Sequence, residues 1–281
     1  MKAYLQPLRL ALCIVTAFLL ASIGCSLSSC SSHEDQNAVQ EDSTVLRIKQ
    51  RGTLLVGTTG DYRPLTFLEP DGKYWGFGIE MAEAIAKKLE VDIRFVPTSW
   101  PTLTNDVLAE PQLFDLAIGG ITITEKRLKT MLMSDGYLAN GKTILCRATD
   151  ADRFKSLADM DKPEVKVMIN PGGTNEIFAK ENLTHATLIV NQRNEEIPSL
   201  IAEGEADIMI TEITEAPYYI SADERLAAPM LSAPFTHGNI GVLMRKGQDD
   251  LLKVVNEVIE QKKGDGSLRQ LHEKYGFVYA L

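Results

Sequence analysis

Val165-Lys166-Val167-Met168-Ile169-Asn170-Pro171-Gly172-Gly173-Thr174-Asn175-Glu176-Ile177-Phe178-Ala179-Lys180 is the stretch that decides the fold. It opens with a short apolar, β-prone run, and Asn-Pro-Gly-Gly then makes a turn almost free of side chains. Thr174 is the expected N-cap of the helix that follows, which puts Glu176 at its second position. The predicted unit is a strand over 165–170, a tight turn, and a helix over 174–181. Glu176 at that place has two readings, a functional acid or a plain complement to the helix dipole.

The same alternation runs outward in both directions. Strands are expected over 53–58, 92–97, 114–119, 186–190, 206–210 and 240–244. Helices are expected over 79–89, 194–203, 251–262 and 267–275. The clearest is 79–89, where Met81, Ala82, Ile85, Ala86 and Leu89 share one face. Strands alternating with helices imply α/β layers and mostly parallel sheets. Ligands in such sheets sit beyond the carboxyl ends of the strands, so the following loops are where function is sought.

The chain has 281 residues, enough for two medium domains with their own cores. Its formal charge is −9. The first 30 residues carry only Lys2 and Arg9, so the remainder holds 27 basic against 38 acidic residues. A body that acidic argues against nucleic-acid binding. Lys2 and Arg9 precede a short apolar run and then Leu27-Ser28-Ser29-Cys30, a lipoprotein-type cleavage pattern. Residues 1–29 therefore read as a signal peptide with Cys30 lipidated, Cys25 being the alternative, and 30–44 as a flexible tether. An extracytoplasmic or periplasmic, membrane-anchored protein is expected. Cys146 is the one cysteine of the body and reads as buried packing. His33, His185, His237 and His272 have no ligand spacing, so neither metal nor cofactor is expected.

Three more loops carry candidate groups. Thr58-Thr59-Gly60-Asp61-Tyr62-Arg63-Pro64 offers Asp61 and the flat face of Tyr62, or simply a turn with Tyr62 as packing. Pro97-Thr98-Ser99-Trp100-Pro101-Thr102 sets Trp100 among hydroxyls that line a site or cap a helix. Gly119-Gly120-Ile121-Thr122-Ile123-Thr124-Glu125-Lys126-Arg127 is the most specific of the three. Gly120 lets backbone N–H groups approach an anion, Thr124 caps a helix, and Arg127 in its first turn supplies a guanidinium fork for a carboxylate. A solvated surface charge is the other reading of Arg127.

In this order the loops resemble those of extracellular solute-binding proteins of the polar amino-acid class. There a Gly-Asp-x-x-Pro loop, a Gly-x-x-x-Thr-x-x-Arg segment and a late acidic residue grip an amino acid. The resemblance spans about 45–279 and implies a periplasmic-binding-protein-like fold. Its two lobes would each hold a mostly parallel sheet flanked by helices, joined by a two-stranded hinge. Lobe 1 would comprise 45–142 and 238–281, and lobe 2 would comprise 143–237. TTGDYRP (58–64), VPTSWPTL (96–103), YLANGKT (137–143) and INPGGTNEIFAK (169–180) resemble the cyclohexadienyl dehydratases more closely. Those are carbon–oxygen lyases on this fold that convert prephenate or arogenate to phenylpyruvate or phenylalanine without a cofactor. The resemblance implies that Glu176 is the general acid, its carboxyl raised by burial, and that Arg127 holds a substrate carboxylate. It implies binding roles for Gly120, Thr122, Asp61, Tyr62, Trp100, Lys142, Asn170, Thr174 and Glu212. Glu212 stands where an Asp commonly meets the ligand's amine. The alternative is a non-catalytic amino-acid-binding lipoprotein that serves an ABC transporter permease.

Overall fold

A computed structural model describes residues 43–278, and the signal segment, Cys25, Cys30 and the tether through residue 42 lie outside the described residues. The folded body begins earlier than the expected tether allows. Ser43 caps the helix Thr44–Arg51, accepting from Leu46 N at 3.2 Å and donating to Asp250 Oδ2 at 2.7 Å. Thr44 and Ile48 are buried, which ties this otherwise polar helix to the body.

Two five-stranded sheets are built on one plan. The first has the order Asp92–Pro97, Thr53–Thr58, Leu116–Ala117, Leu243–Arg245, Met131–Met133. The second has the order Thr187–Val190, Lys166–Ile169, Ile208–Glu212, Lys142–Arg147, Leu226–Ala227. In each, the first three strands are parallel, the fourth runs antiparallel to both of its neighbours, and the fifth again shares the direction of the first three. Each sheet is therefore mostly parallel in direction, as expected, and is made mixed by its one reversed strand, Leu243–Arg245 in the first and Lys142–Arg147 in the second. Leu138–Asn140 and Gly238–Ile240 pair antiparallel as a separate two-stranded ribbon. This ribbon joins the sheets.

Two expected strands are altered. The run 114–119 is a strand only over Leu116–Ala117. Asp115 Oδ2 takes the Leu55 N–H at 2.8 Å and also pairs with Arg51, so a side chain replaces part of the ladder. The run 240–244 is divided between the ribbon and the first sheet, with Gly241 and Val242 between the two strands.

Strand alternation builds the cores. In the second sheet, Ile144, Cys146, Val167, Ile169, Ile208 and Ile210 pack on one face with Phe154 and Ala179. Their neighbours Leu145, Met168 and Met209 point to the other face, against Ile197, Ile201 and Ala216. Each such aliphatic side chain contributes about 1.5–3 kcal/mol by burial. Burial pushes the Cys146 thiol up to about 11, the behaviour of an inert packing residue. In the first sheet, the helices Phe77–Leu89, Asp249–Gly264 and Ser267–Lys274 cover one face. Among the described residues no helix is long and apolar enough to cross a membrane.

Candidate binding and active site

Loops leaving the carboxyl ends of the parallel strands of both sheets meet across a cleft. The first sheet's side presents Tyr62, Trp100, Gly120 and Arg127. The second sheet's side presents Asn170, Gly173, Thr174, Asn175, Asn194 and Glu212. The space between them is ≈ 20 Å³, about the room of one water, so entry of a larger ligand requires the sides to part. A second recess of ≈ 410 Å³ lies beside it, lined in part by Thr122, Ile123, Lys142, Ile177, Phe178 and Glu212.

Arg127 is positioned as its local sequence dictates. Thr124 caps the helix Glu125–Thr130 by accepting from Arg127 N at 3.3 Å. The guanidinium donates from Nη1 to Thr122 O at 2.6 Å and lies within ion-pair distance of no carboxylate among the described residues. Burial lowers its pKa, opposed by the charge of Glu212. A half-buried guanidinium facing the cleft with donors to spare suits an incoming carboxylate. Gly120 is needed for space as well as for its N–H. Its φ is +76°, and a Cβ there would lie 2.6 Å from Tyr62 Cδ1.

The floor of the cleft is an ion pair. Strand register sets Lys142 directly opposite Glu212 at the end of an antiparallel ladder. Lys142 Nζ reaches Glu212 Oε1 at 2.5 Å, with both side chains buried. Thr122 Oγ1 also donates to Oε1, at 3.2 Å, and Tyr62 OH donates to Oε2. Burial pushes the Glu212 carboxyl up, but the Lys142 charge and the donated hydrogen bonds outweigh it and hold it below the usual value. Thr122 is steadied in turn by Asn140 Nδ2 at 3.3 Å.

The Asn170–Glu176 turn departs from expectation. Gly173, not Thr174, is the N-cap of the helix Thr174–Asn182. The Thr174 hydroxyl is taken by Lys142 Nζ at 2.6 Å, and Asn175 Oδ1 accepts from the same ammonium at 2.6 Å. Glu176 consequently sits at the third helical position and reaches back to accept from Gly172 N at 2.6 Å. Its other oxygen pairs with Lys180 Nζ at 2.6 Å. The hydrogen bonds from Lys180 and Gly172 hold this carboxyl below its usual value, against a smaller effect of burial. The upward shift expected for Glu176 is therefore absent in this arrangement, and Glu176 is not among the residues lining the cavity. Gly172, at φ +89°, presses on the opposite side of the cleft, where a Cβ would lie 2.2 Å from Pro101 N.

Asn170 lines the cavity but commits its amide to Asn191 O and Gln192 O, both at 3.1 Å. Asp61 stays out of the lining and accepts from Trp100 Nε1 at 3.0 Å, so it orients the indole, which meets Tyr62 edge-on at 5.6 Å. Burial raises the Asp61 carboxyl, hydrogen bonds from Thr59 and Trp100 oppose this, and Glu195 adds to the rise. The sequence reading missed Asn194, whose Nδ2 donates across the cleft to Asp61 O at 3.2 Å and to Glu215 Oε1 at 2.9 Å. It also missed Glu215, fully buried, which accepts from Thr211 Oγ1 at 2.5 Å. Burial, with the Glu212 and Asp61 charges adding, pushes Glu215 up to about 8. The one available signal was the repeated Thr-Glu doublet at 211–212 and 214–215. Among the described residues no group of three or more His, Cys, Asp or Glu is placed to hold a metal ion.

Known proteins of similar sequence share this architecture. Cyclohexadienyl dehydratase of Pseudomonas aeruginosa is 34% identical over 235 residues, covering 84% of this chain and 87% of that protein. The L-cystine-binding protein TcyJ of Escherichia coli is 29% identical over 84% of this chain and 86% of its own length. Among solved structures, the ancestral amino acid-binding protein AncCDT-1, a precursor of cyclohexadienyl dehydratase, superposes with a TM-score of 0.77 at 39% identity. The match covers 83% of this chain and 99% of that one. An ancestral cyclohexadienyl dehydratase, AncCDT-3, is 48% identical, with a TM-score of 0.51 over 83% of this chain and 96% of its own. Residues 54–278 match the model of one family, and the chain belongs to it: the bacterial extracellular solute-binding proteins, family 3.

Proposed function

We propose that the chain is a cyclohexadienyl dehydratase, a carbon–oxygen lyase acting on prephenate or arogenate in the cleft. The supporting observation is the Asn170–Glu176 turn. Four of its residues line the cavity opposite Arg127, and Gly172 abuts Trp100 and Pro101 across the cleft. An acid at the lip of a chamber that seals in this way is suited to a reaction from which water is excluded. In the proposed step the bond from the ring to its carboxylate breaks and CO₂ leaves. The freed electron pair completes the aromatic ring as the ring C–O bond breaks, and the departing hydroxide takes a proton and leaves as water. Arg127 anchors a substrate carboxylate and Glu176 supplies the proton. For that, Glu176 must give up Lys180 and the Gly172 N–H for the substrate, and desolvation under the closed cleft then favours its protonated form.

A second reading, amino-acid binding for an ABC permease without chemistry, is favoured by the state of Glu176, whose carboxyl is held down where an acid needs it raised. One experiment separates the two. Purified protein is incubated with prephenate and with arogenate, and phenylpyruvate or phenylalanine is followed. Turnover is expected, and Glu176→Gln should lower kcat by about 10²–10⁴-fold with little change in KM. An inactive wild type that binds an amino acid tightly would establish the binding reading instead. We further propose a lipid anchor at Cys30, from the pattern Leu27-Ser28-Ser29-Cys30. Cys30→Ala should move the protein out of the membrane fraction, and retention there would refute that site.

A further inference from the structure

We propose that Lys142, by neutralising Glu212, makes the cleft select a 2-oxo acid over the matching 2-amino acid. Stated for the proposed reaction, on which the identity of the pair rests, this means prephenate over arogenate. Glu212 is the only carboxylate among the residues lining the cavity, so it is the group an incoming ammonium would need. Both of its oxygens are taken. Oε1 holds Lys142 Nζ and Thr122 Oγ1, and Oε2 holds Tyr62 OH.

The two functional groups therefore meet different obstacles. An ammonium must either displace Lys142 Nζ from Oε1 or take the place of Tyr62 OH on Oε2. The first route separates a buried ion pair, and the other sets a second cation on a carboxylate that Lys142 already neutralises. A ketone needs only a donor. Lys142 spends two of its three N–H donors on the neutral acceptors Thr174 Oγ1 and Asn175 Oδ1. A ketone oxygen can replace either with no charge separated. The charge balance points the same way. Lys142 lies behind Glu212, in the lining of the adjoining recess, and cancels its charge. Arg127 is thus left as the uncompensated charge of the cavity lining, which suits the dianion better than its amino analogue. Because the pair is fixed by strand register, the bias is built into the sheet and does not depend on a mobile loop.

The decisive measurement is kcat/KM of the wild type for prephenate and for arogenate at neutral pH. Prephenate is expected to win by roughly ten- to hundredfold, the factor that one displaced charge-assisted hydrogen bond supplies. Equal values, or a preference for arogenate, overturn the proposal. Lys142→Met frees the carboxylate and should shrink the prephenate-to-arogenate ratio by about tenfold or more. A loss of both rates by one common factor would reduce Lys142 to a purely structural residue and also overturn it. Should that variant fail to fold, Glu212→Gln replaces it and should lower arogenate turnover more than prephenate turnover; the reverse order counts against the proposal. If neither substrate is turned over, the dehydratase reading has failed by itself. Calorimetry with phenylpyruvate and L-phenylalanine then decides the selectivity. Tighter phenylpyruvate upholds it, whereas tighter or equal L-phenylalanine, or no binding of either, refutes it.

Discussion

Glu212 and Glu215 lie three residues apart in one segment, 3% and 0% exposed, yet burial leaves them in opposite states. Glu212 ends a strand opposite Lys142, and its carboxyl is held low. Glu215 has just turned the corner into the helix Ala216–Ala222, where only neutral donors, Thr211 and Asn194, reach it. Its carboxyl rises to about 8. Desolvation acts on both, but strand register delivers a cation to Glu212, whereas at Glu215 the charges of Glu212 and Asp61 add to the rise. Glu176 extends the comparison to a half-buried site: a lysine one helical turn away and one backbone N–H suffice to hold it low. Charge state in this cleft follows the partner rather than the depth.

The largest test of that rule removes the cation. Lys142→Met leaves Glu212 buried without a counter-charge and should cost about 3–5 kcal/mol of stability at neutral pH. The pH dependence should also change sign. In the wild type Glu212 is depressed, so the stabilisation from its ionised form is present above the usual carboxylate value and fades as pH falls through the lowered one. In the variant the unpaired carboxyl favours its proton, so part of the lost stability should return on acidification. Denaturant midpoints at pH 5 and pH 8 measure this. A variant equally destabilised at both would mean that lost packing of the lysine stem, not charge, dominates.

The readable and unreadable parts of the sequence divide along the same physical line. Strands Thr53–Thr58 and Asp92–Pro97 and the buried face of Phe77–Leu89 follow from local periodicity, and all three were expected nearly to the residue. Thr124 and Arg127 were legible for a similar reason, since a cap and the first turn after it lie within three residues. The helix Thr44–Arg51 was not, because its eight residues are mostly polar and its place depends on Asp250, some 200 residues away. Nor could spacing reveal that Lys142 meets Glu212, 70 residues distant, or that Asn194 meets Asp61, 133 residues distant. Those contacts exist only once two strands pair and two lobes close. The misplacement of the Thr174 cap is the instructive case. Its local chemistry was sound, but the Lys142 ammonium claimed the hydroxyl, Gly173 took the cap position, and Glu176 accepts from Gly172 N before the helix.

A smaller and sharper test concerns Glu215. Its folded value of about 8 lies above the ordinary carboxylate value of 4.5, so the native state retains a proton that the unfolded chain releases between those limits. Stability from this group is therefore whole below about pH 4.5 and is lost progressively as pH rises toward 8. Glu215→Gln keeps an acceptor for Thr211 and Asn194 while removing the titration. The variant should match the wild type near pH 5 and exceed it by about 1–3 kcal/mol near pH 8, the order expected when one buried carboxylate no longer ionises. Thermal or denaturant unfolding across that interval reads the difference directly. A variant whose stability runs parallel to the wild type from pH 5 to pH 8 would mean that Glu215 is ionised in the folded protein throughout. Its contrast with Glu212 would then be one of hydrogen bonding alone, since both carboxylates would carry charge and only one would need a lysine to do so.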